Sequence, residues 1–172
     1  ASAGVEVIVE QGAATEVEVE VDDNLMEHIV TRVENGTLIV KIEENINTME
    51  SAIVRVRTKT IEGLESSSGA TIRSKSTLRG TYLTVKSSSG STINTDLEYE
   101  KVSCESSSGS EIKVNGKALV LETSSSSGSE IEAQDLAANE IFAQSTSGSN
   151  TTVNPIVLLN AKASSGSSID YI

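Results

Sequence analysis

A serine-rich corner closed by glycine returns about every twenty residues from residue 66 onward, and an isoleucine keeps step with it. The glycines lie 21, 19, 19, 20 and 18 residues apart, at Gly69, Gly90, Gly109, Gly128, Gly148 and Gly166. Isoleucine stands three residues after five of them, with Thr151 in the remaining place: Ile72, Ile93, Ile112, Ile131 and Ile169. A fixed period of this length is typical of repeat architectures, and six corners indicate about five complete coils.

Two further sets of apolar positions follow the same period. One set is interpreted as a second inward column: Leu78, Leu97, Ala118, Leu136 and Leu158. The other consists of pairs that alternate before each serine run: Leu83 and Val85, Val102 and Cys104, Leu119 and Leu121, Ile141 and Ala143. Apolar residues at every second position are the pattern of a half-buried strand. Each coil is therefore predicted to hold short strands and no helix.

These patterns predict an all-β fold, a right-handed parallel β-helix-like solenoid with about 20 residues per coil. Glycine supplies the positive φ that a tight corner needs. The corner serines are expected to bond to nearby backbone or to the equivalent serine one coil away, because stacked coils lie about 4.8 Å apart. The irregular corner spacing argues against a hexapeptide helix, and the leucine-rich and calcium-binding repeat motifs are absent.

Residues 1–64 lack this period and are predicted to form a β-rich N-terminal cap, continuous with the solenoid of residues 65–172 as one structural unit. Strands are expected around Val5 to Val9, around Val17 to Val21 and from Ile53 to Arg57. A helical turn is expected from Leu25 to Ile29, capped by Asp22-Asp23-Asn24. A hairpin of Ile29 to Glu34 and Thr37 to Ile42 is expected around Asn35-Gly36. Residues 1–4 are interpreted as residues left from cloning or as the start of a processed chain.

The chain is acidic, with a formal net charge of −12 from 25 acidic and 13 basic residues. Residues 1–64 hold 13 of the acidic side chains and 5 of the basic ones, so the acidity is concentrated in the predicted cap. Nucleic acid is not expected as a partner, because its affinity depends on Lys and Arg side chains that neutralise phosphates. No apolar run approaches the roughly 18 residues of a membrane-spanning helix. The single cysteine, Cys104, excludes an intramolecular disulfide and is interpreted as a small buried residue.

No catalytic, cofactor-binding or metal-binding residue is predicted, and no cofactor. A serine nucleophile needs a base within hydrogen-bond reach, whereas the only histidine, His28, lies in the predicted cap. The enzymatic alternative is a polysaccharide lyase or glycosidase, although a fold does not fix a function. Its candidate residues have differing offsets from the corner glycines: Asp96, Asp135 and Asp170, with Lys75 or Arg79. The aromatic content of 2% also argues against a sugar-processing site.

Both halves of the chain resemble the head GIN domain family of auto-transporter adhesins, found mainly in Bacteroides-type Gram-negative bacteria. The resemblance rests on residues 4–12 (GVEVIVEQG), residues 23–29 (DNLMEHI), residues 35–40 (NGTLIV) and the recurrent Ser-Gly-Ser-x-Ile. Family members often carry Ser-Gly-Ser-Gly-Asp corners, whereas Ser108-Gly109-Ser110-Glu111 and its equivalents lack the second glycine. The resemblance implies a β-helix-like fold, export and an adhesive role, and it assigns no functional residue.

The residues and the resemblance together predict a non-enzymatic, secreted or cell-surface binding module of adhesin type. Its expected location is extracytoplasmic: periplasmic, attached to the outer membrane or secreted. Expected partners are a surface glycan or a protein ligand, together with a second copy bound weakly through the C-terminal coil. A structural spacer is a further alternative. The final strand from Ser167 to Ile172 is expected to leave an unpaired edge, covered by a second copy or by Pro155 to Asn160 folded over neighbouring coils.

Overall fold

The computed structural model describes residues 1–21, 26–43 and 52–172 of the chain. These residues form strands and one short 3₁₀ turn, η1 (Met26–His28). The strands are β1 (Glu6–Gln11), β2 (Glu16–Glu20), β3 (Ile29–Glu34), β4 (Thr37–Ile42), β5 (Ile53–Thr58), β6 (Gly63–Ser66), β7 (Thr71–Ser74), β8 (Leu78–Ser87), β9 (Thr92–Ser106), β10 (Glu111–Ser125), β11 (Glu130–Ser145), β12 (Asn150–Ala163) and β13 (Ser168–Tyr171).

Most of these strands form one parallel β-solenoid, in which each coil pairs with the next coil along the chain. The strands from β9 to β13 follow one another in chain order, and every pair is parallel. Ile93, Ile112 and Ile131 are paired in register, so a coil takes 19 residues in the middle of the stack. The predicted fold class is confirmed, and the hand of the coil stays a prediction.

The isoleucines that follow the corner glycines form one buried column, as predicted. Ile72, Ile93, Ile112 and Ile131 pair in that order on neighbouring strands, and none is more than 4% exposed. Thr151 occupies the next place in the column and is fully buried. Because each isoleucine packs against its equivalents above and below, the apolar core runs along the stack from coil to coil.

The predicted second column was wrong at Ala118, whose place is taken by Gly116. Leu97 and Leu136 both pair with Gly116, one from each neighbouring strand. Gly116 has a φ of 116°, and a Cβ at this position would lie 2.1 Å from the Leu97 carbonyl oxygen. The two coils approach so closely that only a hydrogen atom fits between them, which is why a glycine stands where the pattern suggested an apolar side chain.

Two leucines that were predicted to face inward are exposed. Leu158 pairs with Glu140 and is 45% exposed. The register shifts twice before it, because β11 has three extra residues between Ala133 and Ala137 and β12 has one between Pro155 and Leu158. Leu119 is 53% exposed and falls where the pairing between β10 and its neighbours is interrupted. The inward pair before the serine run of this coil is therefore Leu121 and Thr123.

Each Ser-Gly corner is a tight turn with two consecutive residues of positive φ. In the turn that begins at Ser107, Ser108 and Gly109 have φ values of 55° and 67°, and the Ser110 N–H donates to the Ser107 carbonyl at 3.3 Å. Positive φ at both central positions is the type I′ geometry. The same pairing of serine and glycine recurs at all six corners, so serine shares the left-handed conformation that the sequence pattern assigned to glycine.

A buried serine beside the corner ties each coil to the preceding one. Ser110 Oγ lies 2.7 Å from the Ser87 carbonyl oxygen of the preceding coil and 2.7 Å from the Ser107 carbonyl oxygen of its own turn. Equivalent contacts to the preceding coil recur at Ser91, Ser129 and Ser167. A direct bond between equivalent serines is also present, from Ser125 Oγ to Ser145 Oγ at 2.9 Å. Both kinds of serine bond that the sequence predicted are confirmed.

The N-terminal residues extend the stack below the first Ser-Gly corner. β1 lies between β5 and β7 and is parallel to both, whereas β2 ends the sheet as an antiparallel strand against β5. Ala3 and Gly4 have φ values of 60° and 72°, and the Gly4 N–H donates to the Ser68 carbonyl at 3.1 Å. Residues 1–4 thus form a further corner of the same type, which the sequence pattern did not indicate.

The hairpin predicted around Asn35-Gly36 is confirmed with its bounds, as β3 and β4. Val40 is 3% exposed and packs into the main core, while its carbonyl accepts the Ser2 N–H at 3.0 Å. The predicted capping residues, Asp22 to Asn24, lie outside the described residues, and the described part of that turn is η1. The division of the chain at residue 64 stays a prediction.

Candidate functional site

The outward side chains of the stack form ion pairs between neighbouring coils. Arg79 Nε lies 2.9 Å from Glu98 Oε2, and Lys113 Nζ lies 3.1 Å from Glu132 Oε2, each across one coil boundary. The hydrogen bond from Arg79 holds the pKa of the Glu98 carboxyl below its usual value. Such exposed ion pairs are screened by water and are common on the solvent-exposed face of a β-sheet. They place opposite charges in register without enclosing a site.

The acidic residues named as candidates for polysaccharide cleavage, Asp96, Asp135 and Asp170, lie on three different strands of the sheet. Asp135 on β11 is two strands, or about 10 Å, from each of the other two. Asp170 lies on β13 and Asp96 on β9, four strands apart in the sheet, which is about 19 Å at about 4.8 Å per strand. Paired carboxylates of glycosidases lie within roughly 10 Å of each other. Asp96 Oδ1 accepts a hydrogen bond from Asn115 Nδ2 at 2.9 Å. The basic candidates Lys75 and Arg79 contact glutamates and not these aspartates.

Cys104 and His28, the one cysteine and the one histidine of the chain, lie in different parts of the structure, on β9 and in η1. Cys104 is fully buried in the core, and this burial raises the pKa of its thiol to about 12. His28 lies in η1, with its Nε2 3.6 Å from Glu27 Oε1. Within residues 1–21, 26–43 and 52–172, no three His, Cys, Asp or Glu side chains are grouped so as to hold a metal ion. The part of the chain that the structure describes contains no helix of the length and apolarity that crossing a bilayer requires.

The surface feature that stands out is a group of exposed apolar side chains on three neighbouring strands, β10 to β12. We call it the outer apolar face: Leu119, Phe142, Ile156, Val157 and Leu158. Ile156 is 62% exposed and Val157 76%, in an irregular part of β12 that β13, paired with residues 150–153, does not cover. Apolar side chains that cluster on the surface of a protein mark interaction sites more often than scattered ones do. The outer apolar face is therefore the candidate functional site.

Charges of both signs border the outer apolar face. Glu140 lies directly beside Leu158, on the neighbouring strand, and Lys162 follows on β12 itself. Neither Glu140 nor Lys162 forms an ion pair within the described residues. In the last coil, residues 150–172, the charged side chains are one lysine and one aspartate, so the coil is neutral although the whole chain carries −12. The candidate site thus combines an apolar centre with an unpaired anion and an unpaired cation.

The sequence analysis named Pro155 to Asn160 for another role, and that prediction was wrong. The segment does not fold over neighbouring coils but continues β12, paired with β11. The signal for its exposure is a run of five apolar residues, Pro155 to Leu159, without the alternation of a half-buried strand. Whether a second copy covers the edge of β13 stays a prediction.

Comparisons with known proteins agree with the fold. Over residues 1–172, the chain matches a family model described as "Putative auto-transporter adhesin, head GIN domain". A solved structure described as a "putative adhesin", from Bacteroides fragilis, has a TM-score of 0.90 and 17% identity, covering 99% of this chain and 89% of that one. No curated protein matches the chain.

Two further solved structures are similar to this chain with lower TM-scores. One, described as a "putative lipid binding protein", from Parabacteroides distasonis, has a TM-score of 0.65 and 14% identity, covering 100% of this chain and 89% of that one. The other, described as a "putative adhesin", from Parabacteroides merdae, has a TM-score of 0.66 and 16% identity, covering 98% and 89%. At these identities the likeness shows the fold alone.

Proposed function

Because the chain belongs to the head GIN domain family of auto-transporter adhesins, we propose that it is an extracytoplasmic binding module that acts without catalysis. The observation that carries this proposal is the outer apolar face, a group of exposed apolar side chains on β10 to β12. Ile156 is 62% exposed and Val157 76%, on the part of β12 that β13 does not pair with. The solenoid holds such side chains at fixed spacing, which reduces the entropy lost when a partner binds.

The composition of the outer apolar face favours a protein ligand over a glycan. Sugar rings bind best on aromatic side chains, and the face holds one aromatic residue, Phe142, which is 38% exposed, with Tyr171 beside Ile156 to Leu158. Its other members are aliphatic, and aliphatic side chains pack against the apolar side chains of a partner protein. On this proposal the protein sits on the outer surface of a Gram-negative bacterium, or is secreted by it, and binds another surface protein.

A binding screen with matched variants tests the proposed function. The purified chain is applied to arrays of bacterial surface proteins and of glycans, beside Val157→Glu and the control Val33→Glu. Val33 is 70% exposed on β3, away from the outer apolar face, so the control adds the same charge elsewhere. We expect a specific ligand that the wild-type chain and the control retain and that Val157→Glu loses. Ligands held equally by all three proteins, or no ligand on either array, would count against the proposal.

The non-catalytic part of the proposal has its own test. Polysaccharides, esters and peptides are incubated with the chain and each of several divalent metals, and products are followed by mass spectrometry. We expect no turnover, because Asp96 and Asp170 lie about 19 Å apart and the Asp96 carboxylate already accepts a hydrogen bond from Asn115. Reproducible cleavage that disappears in Asp96→Ala or Asp135→Ala would establish an enzyme.

A second candidate ligand is a lipid, favoured by the same aliphatic side chains. One structural neighbour is described as a "putative lipid binding protein". Ile156, Val157 and Leu158 form an open surface rather than an enclosed pocket, so a lipid would be covered on one side only. Binding of a fluorescent fatty acid that Val157→Glu abolishes and Val33→Glu retains would favour a lipid ligand over a protein ligand.

A further inference from the structure

An open recess lies where β1 and β5 end and where the chain passes from β7 into β8. Its volume is about 480 Å³, which lies in the usual range for the binding of small organic molecules and far exceeds the space of a single ion. It shares no residue with the outer apolar face, so a ligand bound here is additional to the proposed function. Six residues line the recess: Gln11, Gly12, Lys59, Ser76, Thr77 and Arg79.

The Gln11 side chain holds the two walls of the recess together. Its Nε2 donates to the Lys59 carbonyl at 3.0 Å and to the Arg79 carbonyl at 2.8 Å, and its Oε1 accepts the Arg79 N–H at 2.7 Å. The next residue, Gly12, donates its N–H to the Thr58 carbonyl at 2.9 Å. The segments that carry Lys59 and Arg79 are therefore fixed relative to each other before a ligand binds, which reduces the cost of binding.

Four side chains at the recess keep unused hydrogen-bond donors. Lys59 forms no ion pair within the described residues, and the hydroxyls of Ser76 and Thr77 form no hydrogen bond there. Arg79 contacts Glu98 through Nε at 2.9 Å, which leaves the two terminal nitrogens of its guanidinium. Lysine and arginine bind oxyanions through charge-assisted hydrogen bonds, which are stronger than neutral ones. The recess thus offers two cations and two hydroxyls to one ligand.

The charge around the recess is opposite in sign to that of the whole chain. Residues 57–79 hold five basic and two acidic side chains, a net charge of +3 in a chain that carries −12. Arg57, which lies against Gly12, and Lys75 both contact the Glu10 carboxylate, so this anion is already paired. An anionic ligand is repelled by most of the protein surface and attracted to this part of it.

We propose that the recess binds an acidic saccharide, a sugar ring that carries an oxyanion group such as a carboxylate or a sulfate. The oxyanion binds between the Lys59 ammonium and the Arg79 guanidinium, and the sugar hydroxyls bond to Ser76 and Thr77. None of the six lining residues is aromatic or aliphatic, so charge and hydrogen bonds replace stacking on a ring. For the same reason the apolar side chains of a peptide find no partner here. We expect a dissociation constant of about 1 to 10 mM for a single sugar unit.

An NMR titration of the whole ¹⁵N-labelled chain tests the inference with four probes: glucuronic acid, glucose 6-sulfate, glucose and sodium sulfate. We expect the acidic sugars to shift the amide signals of Lys59, Ser76, Thr77 and Arg79 saturably. Glucose and free sulfate are each expected to bind at least about fivefold more weakly. The tighter of the two acidic sugars identifies the oxyanion as carboxylate or sulfate.

The probes also define the results that overturn the inference. Equal binding of glucose would show that charge plays no part. Equal binding of free sulfate would show that the recess holds an ion and does not recognise the sugar. Shifts spread over lysines and arginines outside the recess, or no saturable shifts with either acidic sugar, would exclude the site.

Matched variants separate the recess from the net charge of the chain. Lys59→Gln is expected to weaken binding of the acidic sugars at least about fivefold. The double variant Arg79→Gln/Glu98→Gln keeps the net charge and is expected to weaken binding by a similar factor, because it removes the guanidinium. The control is Lys162→Gln: Lys162 is also exposed and without an ion pair within the described residues, and β12 is four strands from β8. Equal weakening in the control would overturn the site, and the dispersion of the amide signals checks that each variant is folded.

The outcomes are distinct from those that test the proposed function. Val157 and Val33 do not line the recess, so Val157→Glu and Val33→Glu should keep the affinity for acidic sugars. An acidic glycan that both of these variants retain and Lys59→Gln loses supports the recess, whatever the arrays show for the outer apolar face. A tetraglutamate peptide that binds more tightly than both acidic sugars, and that Lys59→Gln loses, would overturn the saccharide in favour of an acidic peptide.

Discussion

At Gly116, the absence of a side chain allows two neighbouring coils to approach closely. Its φ of 116° lies outside the range that side chains readily adopt, and the Leu97 carbonyl oxygen occupies the space of a Cβ. The pattern of apolar residues gives no hint of this, because the contact joins two coils 19 residues apart. A glycine required by a close approach can be recognised only when both sides of the contact are known.

Substitution of two glycines distinguishes a close approach from a turn. Gly116→Ala is expected to reduce the free energy of unfolding by more than about 3 kcal/mol, because a backbone atom must move to admit the Cβ. Gly109→Ala is expected to cost only about 1 to 2 kcal/mol, since its φ is positive but nothing lies within 4 Å of its Cβ position. Urea unfolding measures both values. Equal costs for the two variants would refute the close approach.

The buried thiol of Cys104 is expected to make the free energy of unfolding depend on pH in alkaline solution. Burial raises its pKa in the folded chain to about 12, from an ordinary value near 9. Above about pH 9 the unfolded chain loses this proton and the folded chain keeps it. The free energy of unfolding should therefore fall by about 1.4 kcal/mol per pH unit from this group until the folded pKa is reached.

A comparison of Cys104→Val with the wild-type chain isolates this effect. Between pH 8 and pH 10.5 the variant is expected to lose about 1 to 2 kcal/mol less stability than the wild type, measured by urea unfolding at each pH. The wild-type thiol should also resist a thiol reagent at pH 8 in the native state and react after unfolding. Identical pH profiles of the two proteins would contradict a buried neutral thiol.

At the level of single elements, the accuracy of the sequence analysis follows the range of the interactions involved. The β3–β4 hairpin was predicted with its bounds because a two-residue Asn-Gly turn specifies its own geometry. The isoleucine column was predicted because the corners repeat at nearly constant spacing. Leu158 was misplaced because its register depends on extra residues in both β11 and β12, which only the pairing of the two strands reveals.

The outer apolar face was missed for a related physical reason. An apolar run such as Pro155 to Leu159 lowers the free energy when buried, so the sequence suggested burial against neighbouring coils. In the structure, Pro155, Leu158 and Leu159 pair with β11. Leu159 packs against the core, whereas Ile156, Val157 and Leu158 are exposed. The composition of such a run indicates that its burial is favourable, but it does not show whether the covering residues belong to the same chain.

The buried serines beside the corners contribute to stability through their bonds to the preceding coil. Ser110→Ala removes a hydroxyl that contacts two carbonyl oxygens and accepts the Ser107 N–H, so a loss of about 1 to 3 kcal/mol is expected. Ala70 occupies the equivalent place at an earlier corner, which shows that alanine fits the space. Differential scanning calorimetry measures the change in melting temperature.

Ser108, two residues earlier in the same corner, serves as the control for this substitution. Ser108 is exposed, and no hydrogen bond to its hydroxyl is present within the described residues. Ser108→Ala keeps the left-handed backbone with a side chain of similar size, so its melting temperature should stay close to that of the wild type. If both variants melt alike, the serine bonds between coils do not stabilise the stack.

The whole molecule is a linear stack, and the environment of a residue depends on its place along that stack. A coil in the middle is covered on both sides, whereas β2 and β13 each pair with one strand among the described residues. In such repeat folds, stability is close to a sum of contributions from each coil and from each interface between neighbours. Local unfolding should therefore begin at the ends and reach β9 to β11 last.

Two equivalent substitutions, one in the middle of the stack and one in its last strand, test whether stability is lower at the ends. Ile112→Asp buries a charge between Ile93 and Ile131 and is expected to cost at least about 3 kcal/mol. Ile169→Asp places the same charge in the last strand, where the side chain pairs with Thr151 and is only partly buried, so a cost of about 1 kcal/mol or less is expected. Hydrogen exchange should show the first variant loosening the neighbouring coils on both sides and the second loosening only β12 and β13. Equal costs, with exchange raised along the whole chain in both variants, would mean that the solenoid unfolds as a single cooperative unit.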